Sequence, residues 1–455
     1  MGKAKISYTC QSCGYVSAKW LGRCPECESW NCFLEELASP PSQSFLPSGG
    51  SKPQAINEIT MRDTARFKTG IMEFDRVLGG GIVEGSLILL GGDPGIGKST
   101  LLLDVGMKFS RQGKKTLYVS GEESAAQTKM RAQRLGRSGD LLLIMTETEL
   151  NGILQQAARE TPQLLVIDSI QTMYNAQLPT AAGSVGQLRE CTGKLLRFAK
   201  EKNIATAIVG HVTKDGEIAG PRVLEHMVDV VLQFEGERSY AFRVLRALKN
   251  RFGSTSETGI FSMEENGLAE INNPAGLFLQ ERTGEAAGSL VCACMEGVRP
   301  VLAEVQALVA PTPYGMPRRT SVGFDYNRVN MLLAILEKRL GFDMGSQDAY
   351  VNVVGGFKIN EPAADLAVAL ALVSSFRNKP VDKHTLVIGE IGLTGEIRRV
   401  GHMARRVKEA ASLGFSRFIL PQSEDSQNLK KKHEGITPVA SLQDALRELR
   451  MERGR

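Results

Sequence analysis

The sequence has no apolar run long enough to cross a membrane. Its longest apolar stretch, residues 363–376, is shorter than the roughly 20 residues that a spanning helix needs, and it contains Asp365. The first ten residues lack the apolar core of a secretory signal. From these two absences we expect a cytoplasmic protein with no membrane partner.

Net charge and aromatic residues are also scarce. Lys and Arg exceed Asp and Glu by only five, and aromatic residues make up 6% of the 455. So small a bulk charge does not attract nucleic acid by itself, and DNA binding would need local basic patches. The 42% of apolar residues is typical of a globular chain, and the length predicts two or three domains.

Cysteine is scarce except near the start of the chain. Five of the eight cysteines lie in the first 32 residues, and four of them form the pairs Cys10 with Cys13 and Cys24 with Cys27. Two Cys-x-x-Cys pairs ten residues apart are typical of a tetrahedral Zn²⁺ site, and four thiolates make that ion structural. The alternative is a pair of redox motifs. Cys32 is interpreted as a small packed residue.

A glycine-rich segment lies between the apolar runs 87–90 and 101–103. Its residues 92–99 match the phosphate-loop pattern G-x-x-x-x-G-K-[ST] in a strand–loop–helix setting. We expect Lys98 to reach the β- and γ-phosphates of a nucleoside triphosphate, and the Ser99 hydroxyl to join the shell of Mg²⁺. The expected nucleotide-binding residues are Gly92, Asp93, Pro94, Gly95, Ile96, Gly97, Lys98, Ser99 and Thr100.

Polar residues follow two further predicted strands. Asp168 ends the apolar run 164–167, as a Walker B aspartate does, and is expected to hold Mg²⁺ directly or through water. His211 follows the run 206–209, a place that suits a sensor of the γ-phosphate. An ordinary loop histidine is the alternative there.

Two adjacent acids follow the predicted strand at 116–120. A carboxylate at that position can activate the attacking water, and we favour Glu122 over Glu123 because it lies nearer the end of the strand. The alternative is a solvated helix start, where acids favour the helix dipole.

Apolar strands alternate with amphipathic segments between residues 56 and 273, which predicts a parallel α/β sheet. The segment 175–186, rich in small residues, is interpreted as a mobile loop, as is 212–223. A charged helical tail is expected from Leu442. The expected domains are a zinc ribbon at 1–35, a flexible linker at 36–55, an ATPase domain at 56–273 and a further α/β domain at 274–455.

The zinc ribbon, the nucleotide motifs and the segment Lys249-Asn250-Arg251-Phe252-Gly253 together resemble the RadA (Sms) family of bacterial recombination and repair proteins. The resemblance covers essentially the whole chain. It implies an α/β fold with a RecA-like ATPase core that uses ATP and Mg²⁺. It also implies a homo-oligomer, a hexameric ring, that acts with the RecA recombinase on single-stranded and branched DNA. Lys249 and Arg251 would then project into the ATP site of the neighbouring subunit, with Arg251 as an arginine finger.

The C-terminal block resembles the Lon protease domain in residues 361–365 and 389–396. Lon-type proteolysis needs a serine nucleophile and a lysine base, and these positions hold Ala363 and Ala404. The resemblance therefore implies a Lon-like scaffold without peptidase activity. The basic residues near that site are Arg398, Arg399, Arg405, Arg406 and Lys408, and residues 430–433 (Lys-Lys-Lys-His) form a second cluster. Both clusters are open to interpretation as phosphate ligands or as a solvated face.

Three functions are weighed on this basis. The leading expectation is a DNA-dependent ATPase that works as a ring motor on single-stranded DNA and promotes branch migration with RecA. An ATP-dependent Lon-type protease is disfavoured by Ala363 and Ala404. A signalling ATPase that is not a motor shares the RecA-like core and is the third candidate.

Overall fold

The computed structural model describes residues 6–10, 15–26, 28, 30–37, 66–136, 139–210, 223–236, 242–271, 286–313, 315–356 and 358–452. Cys13, Cys27, His211, residues 212–222 of the predicted loop at 212–223 and most of the predicted linker lie outside these residues. The chain divides into two compact units, Met1–Ile271 and Asn272–Arg455. Within the described ranges, no helix is long and apolar enough to span a membrane.

The first unit begins with a small antiparallel sheet. Its strands are β1 (Ile6–Cys10), β2 (Val16–Ser17) and β3 (Phe33–Leu37), with β1 in the centre. Cys10, Cys24 and Phe33 are buried together in this region. A short hairpin of β4 (Arg66–Phe67) and β5 (Ile82–Val83) follows along the chain.

A nine-stranded sheet forms the rest of the first unit. Its strands are β6 (Leu87–Gly92), β7 (Thr116–Ser120), β8 (Leu142–Thr146), β9 (Leu164–Asp168), β10 (Ala205–Val209), β11 (Val230–Glu235), β12 (Phe242–Asn250), β13 (Thr258–Glu264) and β14 (Gly267–Glu270). The order is β14-β13-β12-β11-β6-β10-β9-β7-β8. Strands β11 to β8 in that order are parallel, and β12 to β14 extend the sheet as an antiparallel meander.

Helices cover both faces of this sheet. They are α1 (Met72–Val77), α2 (Lys98–Arg111), α3 (Ala125–Leu135), α4 (Leu150–Glu160), α5 (Val185–Lys202) and α6 (Val223–Met227), with a 3₁₀ turn at Ile170–Thr172. Alternate residues of β6 point to opposite faces. Ile88 and Leu90 pack in one apolar cluster with α2, whereas Leu87 and Leu89 pack in another with α4 and α5. Burial on both faces explains why β6 reads as a continuous apolar run.

Most strand predictions for this unit are confirmed. The runs at 87–90, 116–120, 164–167, 206–209 and 228–234 correspond to β6, β7, β9, β10 and β11, with ends that differ by one or two residues. Strand β8 and the meander β12–β14 were not predicted.

Hydrogen bonds hold the segment 175–186 in place, which differs from the prediction of a mobile loop there. The buried side chain of Gln187 accepts a hydrogen bond from the Asn175 amide at 2.8 Å. Its own amide donates to the carbonyls of Leu178 at 3.3 Å and Thr180 at 3.0 Å. One buried side chain thus ties the segment to the start of α5.

The second unit is built on a seven-stranded sheet of order β17-β18-β16-β15-β19-β22-β23. Its strands are β15 (Ser289–Glu296), β16 (Arg299–Pro311), β17 (Arg319–Val322), β18 (Gln347–Val353), β19 (Thr385–Val387), β22 (Arg417–Pro421) and β23 (Ile436–Val439), beside a hairpin of β20 (Glu390–Ile391) and β21 (Ile397–Arg398). Its helices are α7 (Tyr326–Leu340), α8 (Asp365–Phe376), α9 (Met403–Ser412), α10 (Glu424–Lys430) and α11 (Leu442–Glu448). The last of these is the expected C-terminal helix.

Candidate nucleotide-binding site

The phosphate loop joins the end of β6 to the start of α2. Gly92, Gly95 and Gly97 have positive φ angles of 149°, 79° and 117°, which side chains other than glycine rarely adopt. A Cβ on Gly92 would lie 2.6 Å from the carbonyl oxygen of Phe234. Since Gly97 at the N-cap of α2 brings no side-chain cap, the first N–H groups of the helix are left to other acceptors such as phosphate oxygens.

Lys98 is held inside this loop. Its side chain is 4% exposed, and its Nζ donates to the carbonyls of Gly92 at 2.7 Å and Asp93 at 2.8 Å. Burial lowers the pKa of Lys98 to about 8, although Asp168, Asp93 and Glu122 act in the opposite direction. The ammonium therefore loses its proton at a lower pH than an exposed lysine does, and a bound anion would offset the cost of burial.

Asp168 lies two strands away from β6, at the same edge of the sheet. Strand β9 pairs with β7 so that Ser120 is opposite Asp168. The hydroxyl of Tyr118 donates to Oδ2 of Asp168. Burial, together with the charge of Asp168, raises the pKa of Tyr118 well above its usual value. Tyr118 is consequently a permanent donor to this carboxylate.

The two candidate acids after β7 have different partners. Glu122 is exposed and accepts a hydrogen bond from Oγ of Ser169 at 2.6 Å, which places it beside Asp168. Glu123 instead forms an ion pair with Arg131 of α3. Glu122 therefore lies beside Asp168, whereas Glu123 is paired with an arginine of the helix that follows it.

Lys249 and Arg251 lie at the opposite edge of the sheet. Strand β12 runs antiparallel to β11, with Asn250 opposite Val230, so it ends beside the first residues of the parallel strands. The phosphate loop follows the last residue of β6, and a strand of that length separates the two edges by roughly 17 Å. The structure therefore brings Lys98, Glu122 and Asp168 together and leaves Lys249 and Arg251 away from them.

Arg251 faces solvent from that edge. Its side chain is 57% exposed, and its Nη1 lies 3.6 Å from Oδ1 of the buried Asp229. Lys249 differs, because its Nζ donates at 2.8 Å to the carbonyls of Glu225 and Val228 at the end of α6. Arg251 is thus presented outward, whereas Lys249 is bonded within its own subunit.

Two of the proposed metal ligands, Cys10 and Cys24, lie among the described residues. Cys10 and Cys24 are both buried in one cluster whose third buried residue is Phe33. An apolar core this small does not hold a fold without an added ligand or cross-link. Cys32 packs against the cluster, with its Sγ 3.3 Å from that of Cys10, in agreement with its interpretation as a packed residue.

One basic residue of the second unit, Arg406, is buried, which contradicts its interpretation as a phosphate ligand. Arg406 is 2% exposed and forms a two-point ion pair with Glu361, with N···O distances of 2.6 and 2.7 Å. A buried and paired guanidinium does not bind DNA phosphate, so including Arg406 among the phosphate ligands was wrong. Arg398 and Arg399 pair with Glu396 and Asp425. Of the five basic residues at 398–408, Arg405 and Lys408 are exposed without such a pair among the described contacts.

Sequence reasoning missed several residues around the site. Tyr118 and Ser169 hold the two acids, and the only signal was a hydroxyl inside or just after an apolar strand. Met263 and Leu268 of the meander approach the phosphate loop, since a Cβ on Gly97 would lie 3.3 Å from a side-chain carbon of each. No local pattern marks these two as neighbours of the loop.

Family models match three parts of the chain. A model described as an AAA domain matches residues 54–217, a rubredoxin metal binding domain matches 8–35, and subunit ChlI of Mg-chelatase matches 311–424. Together with the site geometry, these matches define a RecA-type ATPase with an N-terminal metal-binding ribbon and a further α/β domain. The expected fold class is confirmed, and the ATPase domain implies ATP and Mg²⁺ as its ligands.

Relatives cover the chain from end to end. It is 51% identical to the DNA repair protein RadA of Halalkalibacterium halodurans over 98% of this chain and 99% of the relative. The corresponding proteins of Bacillus subtilis and Listeria monocytogenes are 51% and 52% identical over the same shares. The chain belongs to the RadA family of DNA repair proteins. A solved KaiC-like protein of Pyrococcus horikoshii matches 46% of the chain at 22% identity with a TM-score of 0.39, which is too low to carry an argument.

The pKa of Lys98 predicts how nucleotide affinity depends on pH. A bound triphosphate favours the charged ammonium, so binding takes up a proton once the pH exceeds the value of about 8 in the unbound protein. We expect the dissociation constant for MgATP to be flat below about pH 8 and to rise by up to about tenfold per pH unit above it.

Isothermal titration calorimetry in two buffers of different ionisation enthalpy measures this uptake directly. Lys98→Arg is the control, because a guanidinium keeps its charge across this range and should remove the dependence. A dissociation constant that stays flat to about pH 9.5 in the wild type would contradict the assignment.

Proposed function

We propose that this chain is a DNA-dependent ATPase that forms a ring on single-stranded DNA and promotes branch migration of recombination intermediates together with RecA. Family membership supports the ATPase and its place in DNA repair. The proposed organisation is a zinc ribbon at 1–35, a linker at 36–55, the ATPase at 56–273 and an inactive Lon-like domain at 274–455. A hexamer is proposed as the working form.

The position of Arg251 carries the proposal of a ring. An arginine that is exposed at the edge opposite its own phosphate loop serves a nucleotide only on another subunit. Each subunit would then offer one edge to the neighbour ahead and the other edge to the neighbour behind. Such head-to-tail contacts close into rings when the rotation between subunits permits it.

The proposed roles at each nucleotide follow from the geometry. Lys98 neutralises the β- and γ-phosphates, and Ser99 and Asp168 hold Mg²⁺. Glu122 orients and deprotonates the attacking water, and Arg251 of the adjacent subunit offsets the charge that develops on the γ-phosphoryl group. His211 is proposed as the sensor of that group. The finger is assigned to Arg251 rather than Lys249, whose ammonium is bonded to the end of α6.

ATP turnover in the presence of DNA tests the proposal. Single-stranded DNA should raise the rate of hydrolysis, and the effect should weaken as salt rises, because contacts to the DNA backbone release counterions. Steady-state turnover with and without an oligonucleotide, over a salt series, is the measurement. Turnover that is indifferent to DNA would exclude a DNA motor.

A junction-migration assay separates a motor from a signalling ATPase. Wild-type protein should extend a branched DNA intermediate in the presence of ATP, and RecA should increase the extent of the reaction. Lys98→Ala should be inactive in the same assay. Normal DNA-stimulated hydrolysis without movement of the junction would favour the signalling alternative.

We further propose that the ribbon holds one Zn²⁺ ion through Cys10, Cys13, Cys24 and Cys27. Removal of zinc should disorder only this region, because ligand binding and folding are coupled there. The only two tryptophans, Trp20 and Trp30, lie in it and are 54% and 72% exposed. Since both are already exposed, the expected signal is a fall in fluorescence anisotropy, with the melting of the ATPase core unchanged.

A matched pair of variants tests the ligand set. Cys24→Ser should lose the metal, whereas Cys32→Ser should keep one Zn²⁺ per chain. A colorimetric zinc assay on the purified proteins measures this stoichiometry. Loss of zinc from Cys32→Ser would contradict the proposed ligands, and melting of the ATPase core on chelation would contradict the boundary at residue 35.

A further inference from the structure

Two hydroxyl groups hold the two acidic residues of the nucleotide site in a crossed arrangement. Tyr118 lies on β7 and donates to Asp168 at the end of β9. Ser169 directly follows β9 and donates at 2.6 Å to Glu122, which follows β7. Each strand therefore supplies one carboxylate and one hydroxyl, and each hydroxyl holds the carboxylate of the other strand.

Burial makes both hydroxyls costly unless they are paired. Tyr118 and Ser169 are each 1% exposed. A buried hydroxyl without a partner destabilises the fold, whereas a hydrogen bond to a carboxylate is among the stronger ones that proteins form. A phenylalanine would fill the position of Tyr118 without this cost if packing were its only role. The hydroxyl of Tyr118 is therefore explained by its hydrogen bond to Asp168.

The backbone around the two acids has little freedom to move. The amide of Gly121 donates to the carbonyl of Asp168 at 2.8 Å, which joins the end of β7 to the end of β9. A Cβ on Gly121 would collide with Oγ1 of Thr172, so the two segments are in close contact. What remains free is the rotation of the two acidic side chains, and the hydroxyls of Tyr118 and Ser169 fix that rotation.

We propose that Tyr118 and Ser169 are positioning residues for ATP hydrolysis. Tyr118 fixes the carboxylate of Asp168, which would hold Mg²⁺, and Ser169 fixes the carboxylate of Glu122, which would act on the attacking water. Preorganised groups cost no reorganisation during the reaction, so the arrangement accelerates the chemical step and, through Asp168, strengthens the binding of Mg²⁺. The inference rests on the roles proposed above for Asp168 and Glu122, and it needs neither DNA nor a ring.

Tyr118→Phe removes one hydroxyl and keeps the ring in place. We expect kcat to fall and the Mg²⁺ concentration for half-maximal activity to rise, each by about tenfold or more, because the partner of a metal ligand has been lost. Steady-state hydrolysis by the full chain over a Mg²⁺ series measures both values. Tyr174→Phe, at a partly exposed tyrosine of the same unit, is the control and should change neither.

Ser169→Ala should have a different signature. We expect kcat to fall by about tenfold to a hundredfold, with the KM for ATP and the Mg²⁺ dependence unchanged, because only the water-activating residue loses its partner. Ser169→Thr keeps the hydroxyl and should recover most of the loss. Ser110→Ala removes another buried hydroxyl of this unit and should leave kcat unchanged.

The outcomes are distinguishable from failure of the proposed function. Unchanged kcat and Mg²⁺ dependence in both variants overturn the inference. The inference is also overturned if activity falls only in proportion to a lower melting temperature. In that case the Mg²⁺ dependence of Tyr118→Phe would be unaltered, and Ser169→Thr would not restore activity. If DNA does not change the rate of hydrolysis by the wild-type protein, the proposed motor is contradicted but this inference is not.

Discussion

ATP turnover by Arg251→Ala should fall by about 10³-fold, although its own phosphate loop, Asp168 and Glu122 are intact. The reason is that Arg251 lies at the far edge of the sheet and, in the proposed ring, would complete the site of an adjacent subunit. Its contact with the buried Asp229 is long, and Asp229 keeps a closer ion pair with Lys200 at 2.7 Å, so its loss should cost little stability. Steady-state hydrolysis and thermal melting measure the two effects. Arg159→Ala, which removes an exposed arginine from α4, is the matched control and should retain full turnover.

Mixing experiments show whether the finger acts between subunits. Arg251→Ala chains supply an intact Lys98, and Lys98→Ala chains supply an intact Arg251. A working site needs an Arg251→Ala chain, which supplies Lys98, next to a Lys98→Ala chain, which supplies Arg251. In an equal random mixture about a quarter of the sites in a head-to-tail ring meet this condition. Turnover should recover toward about that fraction of the wild type. No recovery, despite assembly of the two chains demonstrated by native mass spectrometry, would exclude a finger acting in trans.

Lys98→Ala should lower ATP turnover by about 10²-fold to 10³-fold, because the site loses the cation nearest the transferred phosphoryl group. The fold should survive the change. Burial lowers the pKa of Lys98, which means that the charged side chain is held at a cost in the nucleotide-free protein. The melting temperature without nucleotide should therefore change little, whereas the rise that ATP produces in the wild type should be lost.

Lys108→Ala is the control for this variant. Lys108 lies on the same helix and pairs with Asp104 at 3.2 Å, away from the phosphate loop. A surface pair of this kind contributes less than about 1 kcal/mol, so turnover and the ATP-induced rise in melting temperature should both be retained. Full turnover by Lys98→Ala would contradict the assignment of the phosphate loop.

Local patterns in the sequence were sufficient to predict the phosphate loop and Asp168. The loop needs glycines and a lysine at fixed spacing within one segment, and Asp168 simply ends an apolar run. A local pattern does not decide between Glu122 and Glu123, because their different surroundings depend on the distant residues Ser169 and Arg131. Those partners are brought close by strand pairing and by a helix, and neither contact leaves a mark in the local sequence.

Sheet order explains the other differences between prediction and structure. Strands β12 to β14 pair antiparallel outside the repeating strand–helix pattern, so nothing in that pattern predicts them. The same is true of the outward position of Arg251, which follows from where β12 ends. Arg406 reads as one of several surface cations, and only the fold shows that it is buried against Glu361.

The antiparallel meander has a mechanical consequence for a ring. At one end β12 leads to Arg251, and at the other end Met263 and Leu268 lie against Gly97 of the phosphate loop. The strands of this meander are joined by backbone hydrogen bonds, so the ribbon resists stretching and a displacement at one end is transmitted to the other. In the proposed assembly one ribbon in each subunit would lie against its own phosphate loop at one end and would present Arg251 to the next nucleotide at the other. A rearrangement of the phosphate loop on loss of phosphate would then be transmitted to Arg251 at the adjacent site.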